Sequence, residues 1–515
     1  MLIAALVTVV ILLVLASVFS ISDNILQIEA QKQGVDTSKK NLGIFPSFSE
    51  VFGKPVPEYA EKRNFHRLTK GFDILLAGEA EGPVIDASVT RYALKPGDFR
   101  GIAPIPKVEI QEGDEIKAGE PVFFDKSDPS IKYVAPVSGE FVELRRGEKR
   151  SIKHLIILAD KEQKFYKHSI PSADVSREEL IEYFKKTGAW VLFNQRPFDV
   201  IADPSYTPAN IFISCFDTSP LAIDPNLIVE ERKEDLQPAI DALNKLTDGK
   251  VYFGLDGRSG HKPHDALVNA NGVEKHWFTG KHPAGNVGIH IHHIAPIRGN
   301  DVVWTLKLED LLVIGKLMRE GVYDTTRIVG LCGSKMVEPK LLRTRLGASL
   351  HDLLKDNLNS TEDSRARVIL GNVLSGSQAE DDDFLGMRTN VITAIEEGDS
   401  YELFGWLLPL KPRPSISKTY PNFLISNHKF QADTNTHGEQ RAFVVTGQYE
   451  KMLPMDIYPQ HLMKAILTGD IERMEALGIN ELTEEDLALA EFSCTSKQPL
   501  QEILRDGLEM MREQA

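Results

Sequence analysis

The rhythm of apolar and polar positions changes repeatedly along this chain, and each change predicts a different kind of element. Residues 1–20, MLIAALVTVVILLVLASVFS, contain no charged side chain. An apolar run of about twenty residues, rising 1.5 Å per residue, spans a hydrocarbon core of about 30 Å and predicts a transmembrane helix over residues 1–22. A secretory signal peptide is the competing reading. It wants a basic stretch first and a small-residue cleavage site after, whereas no Lys or Arg precedes this run and Leu15–Ser17 is a weak site. Lys32, Lys39 and Lys40 follow the run, which favours a body on the cytoplasmic side. Residues 23–66 are polar and interrupted by Pro46, Pro55 and Pro57, the texture of a tether.

Beyond the tether the apolar runs become short. Lys70–Gly82 predicts a strand with a glycine turn. Between Gly101 and Gly147, β-type runs at Lys107–Ile110, Pro121–Phe124, Tyr133–Val134 and Glu140–Leu144 alternate with turn signals. Those signals are Glu112-Gly113-Asp114, Ala118-Gly119, Asp128-Pro129-Ser130 and Ser138-Gly139, so residues 67–160 predict a small barrel or sandwich. From Ser176 a helical period begins, with Ser176 as N-cap, Glu179 three residues on and Gly188 at the stop. Strands at Ile211–Phe216 and Val251–Leu255 then alternate with helices at Asp235–Leu246 and Leu306–Arg319. That alternation predicts an α/β layer with a largely parallel sheet over residues 161–326. Strand-like Arg327–Gly333, Arg367–Gly376 and Asn390–Gly398, with a helix at Leu350–Leu354, form a further mixed unit over 327–400. Residues 401–515 read as mostly helical from about Tyr458, with a start signal at Thr483 and stops at Gly469 and Gly478. The fold class is a multidomain α+β and α/β protein.

Length and charge narrow this little further. A chain of 515 residues holds about three or four domains. Its net charge of −15 argues against a nucleic-acid partner, which needs a basic face. Cys215, Cys332 and Cys494 are far apart and form no CxxC pair, so no disulfide framework or iron–sulfur ligand set is visible; reduced thiols in a reducing compartment are expected.

Candidate chemistry is sparse. Gly254, Gly257 and Gly260 in GLDGRSG follow a strand, where a phosphate loop would sit, but the spacing is GxxGxxG and no clear helix opens from it. A plain turn is the preferred reading. His276, His282, His290, His292 and His293 are the densest polar cluster. On a strand, His290 and His292 share one face and could hold one metal; a catalytic zinc needs a third ligand that spacing does not supply, so packed strand histidines are preferred. Arginine beside an aromatic recurs at Phe99-Arg100 and Arg196-Pro197-Phe198. Such pairs offer a flat apolar wall and donors for carbonyl oxygens, as a quinone headgroup requires, against the plainer reading of ordinary packed loops. The acidic run Glu380–Asp383 reads as a solvated loop. No Ser–His–Asp order, nucleophile elbow, HExxH or Walker loop is present, so the residues alone declare no independent catalyst and no metal site.

GDEIKAGEPVFFDK…APVSGEF resembles the biotinyl/lipoyl-like fold, in which a hairpin presents a carrier lysine. Here Asp125-Lys126-Ser127 mimics that turn, but Asp128-Pro129-Ser130 enlarges and stiffens it, so no adduct is expected. A larger resemblance runs in order from Lys70 to the C-terminus: KGFDILLAGEA (70–80), APVSGEFVELRRGEKR (135–150), RPFD (196–199), HPAGNVGIHIHHIAP (282–296), LLRTRLGASL (341–350), GNVLSG (371–376), ELFGWLLP (402–409), EKMLPMDIYP (450–459) and EEDLALAEFSC (484–494). These segments resemble the A subunits of Na⁺-translocating NADH:quinone oxidoreductases. The resemblance implies a biotinyl/lipoyl-like β module, a Rossmann-like α/β domain, an SLBB β-grasp segment and a helical C-terminal region. It also implies a cofactor-free component located at the cytoplasmic, quinone-reducing end of a bacterial inner-membrane complex. That complex uses NADH, FAD, FMN, riboflavin, iron centres and quinone, and its membrane-embedded, quinone- and FMN-bearing B subunit is the expected neighbour. Relatives of this architecture carry a C-terminal cysteine cluster for iron–sulfur, where only Cys494 stands here; one thiolate cannot replace four. Phe99, Arg100, Arg196 and Phe198 are then expected near the quinone. A lipoyl-type carrier and an SLBB-containing envelope export protein are the alternatives. The apolar N-terminal run departs from the family, whose usual chain begins near Lys70.

Overall fold

The computed structural model describes Val18, Ser22 and residues 56–101, 105–362, 364–380, 382–399, 412–416, 422, 425 and 427–514. The expected transmembrane helix, most of the tether and the segment ELFGWLLP therefore lie outside the described residues. Among the described residues no helix is long and apolar enough to cross a membrane. The chain divides into a unit ending at Phe65 and a unit from His66 to Ala515. Within the first, Lys62–Asn64 forms a single 3₁₀ turn.

The strands that follow are β1 (Phe65–Arg67), β2 (Val84–Asp86) and β3 (Arg91–Leu94), then β4 (Lys107–Val108), β5 (Glu115–Ile116), β6 (Pro121–Phe124), β7 (Lys132–Val134), β8 (Gly139–Arg146) and β9 (Ile152–Ala159). Two small sheets, β3-β9-β8-β5 and β4-β6-β7, make up the expected β module. Strands this short cannot bury a face alone. Phe123, Tyr133 and Phe99 close the gap, with Phe123 and Tyr133 stacked at 4.5 Å and Phe99 edge-on to Tyr133 at 4.7 Å. Lys70–Gly82 does not form the expected strand. Gly71 and Gly78 take φ of +113° and +92°, and the segment between them bonds to separate elements, with only an isolated bridge from Leu76 to Phe430. β2 instead leaves the module and pairs in parallel with a strand of the third sheet.

The α/β layer consists of α1 (Arg177–Thr187), β10 (Asn194–Arg196), β11 (Val200–Ile201), β12 (Asn210–Ser214), α2 (Asn226–Leu243), β13 (Lys250–Asp256), α3 (Asp265–Val268), β14 (Glu274–Thr279), α4 (Val287–Ile294), β15 (Val303–Lys307) and α5 (Leu308–Glu320). The sheet order is β1-β14-β13-β12-β15-β10-β11, and the pairs among β12, β13, β14 and β15 are parallel. The capping box of α1 forms as read: Ser176 accepts from the Glu179 amide, and Gly188 ends the helix at φ +76°. α2 starts nine residues before the expected Asp235, at Asn226, and bends at Arg232, where φ is −130°. Pro238 sits inside this helix, where it supplies no amide to the helical hydrogen bonds.

β16 (Thr326–Cys332), β17 (Lys340–Arg345), α6 (Leu350–Leu354), β18 (Ala366–Leu370), β19 (Ser377–Gln378) and β20 (Val391–Glu396) build the third sheet, ordered β19-β18-β20-β16-β17-β2. Among the described residues the C-terminal helices begin at Tyr449: α7 (Tyr449–Met452), α8 (Pro459–Leu467), α9 (Ile471–Ala476), α10 (Glu484–Ser493) and α11 (Leu500–Arg512). They bury one cluster around Leu462, Met463, Leu487, Leu504 and Leu508, into which α4 inserts Ile289. Burying each such side chain contributes about 1.5–3 kcal/mol, which fastens the helices to the α/β layer.

Candidate functional site

The loop after β10 holds the residues that meet the other domains. Arg196 ends the strand, and Phe198 and Asp199 take left-handed φ of +84° and +50°. Side chains other than glycine enter that region at a cost of about 1–2 kcal/mol each. Asp199 there meets Arg100, whose Nη1 lies 2.7 Å from Asp199 Oδ2. The Ile201 amide also donates to the Arg100 carbonyl, so the two arginine–aromatic loops meet.

The four residues expected near a quinone fall into two depths. Phe99 is buried against Tyr133 in the β module. Arg196 is 1% exposed. It donates to the Glu481 carbonyl, to Asp486 Oδ2 at 3.1 Å and to Thr483 Oγ1 at 3.1 Å. Phe198 packs, half-buried, on the C-terminal cluster. Arg100 keeps 38% of its side chain open and also pairs with Glu484 at 2.9 Å. Arg100 and Phe198 thus form a rim, with Phe99 and Arg196 behind it.

Sequence reading missed the acidic half of this junction. Thr483-Glu484-Glu485-Asp486 reads as a helix start, and it is one, with Thr483 and Asp486 as reciprocal caps of α10. The same three carboxylates also receive the arginines. Glu484 accepts from Arg505, which donates in addition to the Phe198 carbonyl. Asp486 is fully buried beside the start of α4, where Asn286 donates to its Oδ1. Burial opposes ionisation of Asp199, but the guanidinium groups of Arg388, Arg100, Arg196 and Arg505 outweigh it and hold the carboxyl below its usual range. Glu485 is different. Desolvation and then the charge of Asp486 push it up to about 7, while 43% of its side chain stays open, so water reaches one side of the group. The junction offers guanidinium donors beside an aromatic ring, with no nucleophile–base pair among these contacts.

GIHIHHIAP, expected as a strand, is helix α4. The alternation that suggested a strand covers only four residues, too few to separate period 2 from period 3.6. On the helix His290 and His293 share a face, and His292 points elsewhere. His290 is 1% exposed, stacks on Phe278 at 4.2 Å and bonds through Nε2 to the Ala284 carbonyl. His292 donates from Nδ1 to Glu481 and accepts the Asp456 amide at Nε2. His293 donates to the Pro454 carbonyl. His282 lies against Thr218 at 3.2 Å. His276 meets His66 at 2.9 Å, and His66 stacks on Phe278 at 4.5 Å. Among the described residues no three metal-ligating side chains converge.

Gly254 belongs to β13 itself, and a Cβ there would stand 2.1 Å from His290 Nδ1. This glycine makes room for an imidazole. After it, Arg258 turns back onto Asp256, and the short α3 follows only at Asp265. Lys126 is exposed in the β6–β7 turn, between Asp125, which caps the Ser127 amide, and Asp128, which caps Ser130. Asp383, in the acidic run, accepts from Lys95 at 2.8 Å and so is a structural anchor rather than a solvated charge. The three cysteines are buried and free.

Fold and junction together define a multidomain α+β protein in which a β module, a parallel α/β layer, a mixed sheet and C-terminal helices are tied through buried ion pairs. The N-terminal barrel-sandwich hybrid domain of NqrA proteins matches residues 66–160, the NqrA second alpha/beta domain matches 175–323, and the NQRA C-terminal domain matches 328–381. The A subunit of the Na(+)-translocating NADH-quinone reductase of Neisseria meningitidis serogroup B is 36% identical over 457 residues, covering 87% of this chain and 99% of the relative. Its counterpart in Alcanivorax borkumensis is 36% identical over 451 residues, covering 86% and 98%. That of Vibrio atlanticus is 34% identical over 454 residues, covering 87% and 99%. The chain belongs to the family of A subunits of Na⁺-translocating NADH-quinone reductases. A solved NAD⁺-reducing [NiFe]-hydrogenase matches at a TM-score of 0.30 with 10% identity, covering 60% of this chain and 56% of that one, a likeness too low to bear on fold or function.

Proposed function

We infer that this chain works as the A subunit of a membrane-bound Na⁺-translocating NADH–quinone reductase, shaping the quinone-reducing end without carrying electrons itself. The observation that carries the reading is collinearity: 36% identity runs through 99% of a relative of that name. In this reading the domains follow the order expected, a biotinyl/lipoyl-like module at 67–160, a Rossmann-like domain at 161–326, a β-grasp SLBB segment at 327–400 and a helical end. The parallel order β14-β13-β12-β15 supports the second of these. The body lies on the cytoplasmic side of a bacterial inner membrane, held by the apolar run at 1–22 and docked on the membrane-embedded B subunit. NADH, flavins and iron centres belong to the other components of the complex.

Arg100 and Phe198 are the quinone-proximal pair in this scheme. They form the open rim, whereas Phe99 and Arg196 hold that rim from behind. The test is affinity purification from membranes through this chain. Integral partners and Na⁺-stimulated NADH:quinone activity should be recovered, with neither flavin nor iron absorbance in the isolated chain. Stoichiometric flavin on the isolated chain would overturn the electron-free role. Within the complex, Arg100→Gln with Phe198→Leu should raise the quinone KM; an unchanged KM and unchanged inhibitor sensitivity would remove the pair from the site.

A further inference from the structure

β8 and β9 are the longest strands of the β module, eight residues each. Their pairing runs out to Arg145↔His154 and Arg146↔Ile152. Neighbouring strands cover only the other end: β5 pairs with Gly139 and Glu140, and β3 with Leu155–Leu158. The end of the hairpin therefore runs past the strands that flank it, with Ile152 and His154 buried and His154 edge-on to Phe384 at 5.1 Å. Its turn carries Arg146, Lys149 and Arg150, all exposed. Nearer the base, Arg145 is matched by Glu143 and Lys153 by Glu380. Among the described residues no ion pair takes up the three cations of the turn, whose own carboxylate is Glu148, while Glu112 accepts from the nearby Leu144 amide.

The backbone of the turn is strained in a way that displays these charges. Lys149 and Arg150 take φ of +51° and +66°, consecutive left-handed residues with long side chains, where glycine would cost nothing. Hydrogen bonds lock the shape: the Gly147 amide to the Ser151 carbonyl, and the Ser151 amide and hydroxyl to the Glu148 carbonyl. Arg146 Nη1 braces the Arg150 carbonyl at 3.3 Å. An exposed cationic turn of fixed backbone is thus presented by a chain whose net charge is −15. That asymmetry turns the tip toward any negative surface and the rest of the chain away from it.

We propose that the Arg146–Arg150 turn docks on the anionic headgroups of the membrane surface. A single turn is too small for a stable protein interface, which buries about 1,200 Å² or more, and the apolar anchor such an interface needs is missing from it. The exposed apolar residues of this hairpin, Val142 and Leu158, lie toward its base, since Leu158 pairs with Glu140. Phosphate headgroups need only charge presented from a fixed direction. The proposal rests on the reading of the chain as part of a membrane complex, and it adds a second contact that sets how the β module faces the bilayer.

The experiment compares co-sedimentation of the full-length chain with phosphatidylcholine vesicles and with vesicles in which about a third of the lipid is phosphatidylglycerol. The N-terminal apolar run contributes to both, so the ratio of the two affinities isolates the tip. Each cation near an anionic surface is worth about fivefold. Arg146→Gln, Lys149→Gln, Arg150→Gln together should lower the ratio by roughly tenfold to a hundredfold, and raised salt should do the same to the native chain. Unchanged near-ultraviolet circular dichroism checks the fold. No anionic preference in the native chain, or an undiminished one in the triple variant, overturns the proposal. A triple variant that keeps its lipid preference but loses its membrane partners would also overturn it, and would assign the tip to a protein contact. Failure of the complex reading has a separate readout, because it would appear as absent partners and activity with the native chain.

Discussion

Arg196 and Asp486 lie 290 positions apart and meet as a buried ion pair, Nη1 to Oδ2 at 3.1 Å, with 2% and 0% of their side chains exposed. The pair joins the end of a strand in the α/β layer to the first turn of a C-terminal helix. Around it every polar atom of Asp486 has work: Thr483 donates to Oδ2 from both amide and hydroxyl, and Asn286 donates to Oδ1. An arginine so enclosed serves the interface between domains.

This pair yields the first prediction. Removing one partner strands a charge in a dry site, which costs about 3–5 kcal/mol. Arg196→Met or Asp486→Leu alone should lower the urea midpoint sharply. The double variant, with both charges gone, should recover much of that loss. Single and double variants losing equal stability would mean that the two residues are not coupled. Arg100→Gln, on the open rim, should move the midpoint far less, because exposed pairs contribute about 0–1 kcal/mol.

Gly254 and Gly260 sit in the same glycine-rich stretch and make opposite demands. A methyl on Gly254 meets the His290 ring, which is fixed between Phe278 and Phe216 and has nowhere to move. Gly260 has open space around its Cβ position but a φ of +89°. Gly254→Ala should therefore cost about 1–3 kcal/mol through overpacking. Gly260→Ala should cost about 1 kcal/mol through backbone strain alone. Thermal denaturation of the two variants gives the order, and the reverse order would mean that His290 yields.

Much of this architecture was legible because its signals are local. The Ser176–Glu179 box, the Gly188 stop, the Pro121–Phe124 strand and the TEED helix start are each set by neighbours within a turn, and they formed where read. What failed depends on distant chain. Lys70–Gly82 has strand-like residues, but its amides are claimed by His282 and Phe430, partners no local pattern shows. GIHIHHIAP becomes helical with its first turn set against Asp486, some two hundred residues away. The arginine–aromatic loops could be picked out by composition, and they do meet. Their acidic partners could not, because three carboxylates at a helix start are ordinary capping residues until the fold brings arginines onto them.

Glu485 gives a third prediction, with its sign set by a raised pKa. Burial and the neighbouring Asp486 lift the folded carboxyl to about 7, above its usual 4.5. Between those values the folded chain holds a proton that the unfolded chain releases, so the group's contribution falls as pH rises from 4.5 through 7. Glu485→Gln keeps the neutral shape at every pH. The variant should match the native chain near pH 5 and be the more stable of the two at pH 8. An equal gap at both pH values would show that Glu485 does not titrate with folding.

The histidine stack carries the opposite sign. Burial, then the like charges of His276 and His293, lower His66 to about 4. Burial first, against a hydrogen bond to the Ala284 carbonyl that favours protonation, lowers His290 to about 3, with His66, His293 and His276 adding to the fall. Above pH 6.5 both are neutral in the folded and unfolded chain, and their stabilising contribution is complete. Below 6.5 the unfolded chain gains protons that the folded stack refuses, so stability falls as pH drops toward 4 and the loss levels off near pH 3. His66→Phe keeps an aromatic ring on Phe278, now 4.5 Å from His66, while removing one titrating group and one neighbour that penalises His290. The difference in urea midpoint between native chain and variant should therefore shift in the variant's favour from pH 6.5 to 4.5. Glu485 contributes equally to both chains and cancels. A difference that stays constant across that window would mean that the stack opens before it titrates.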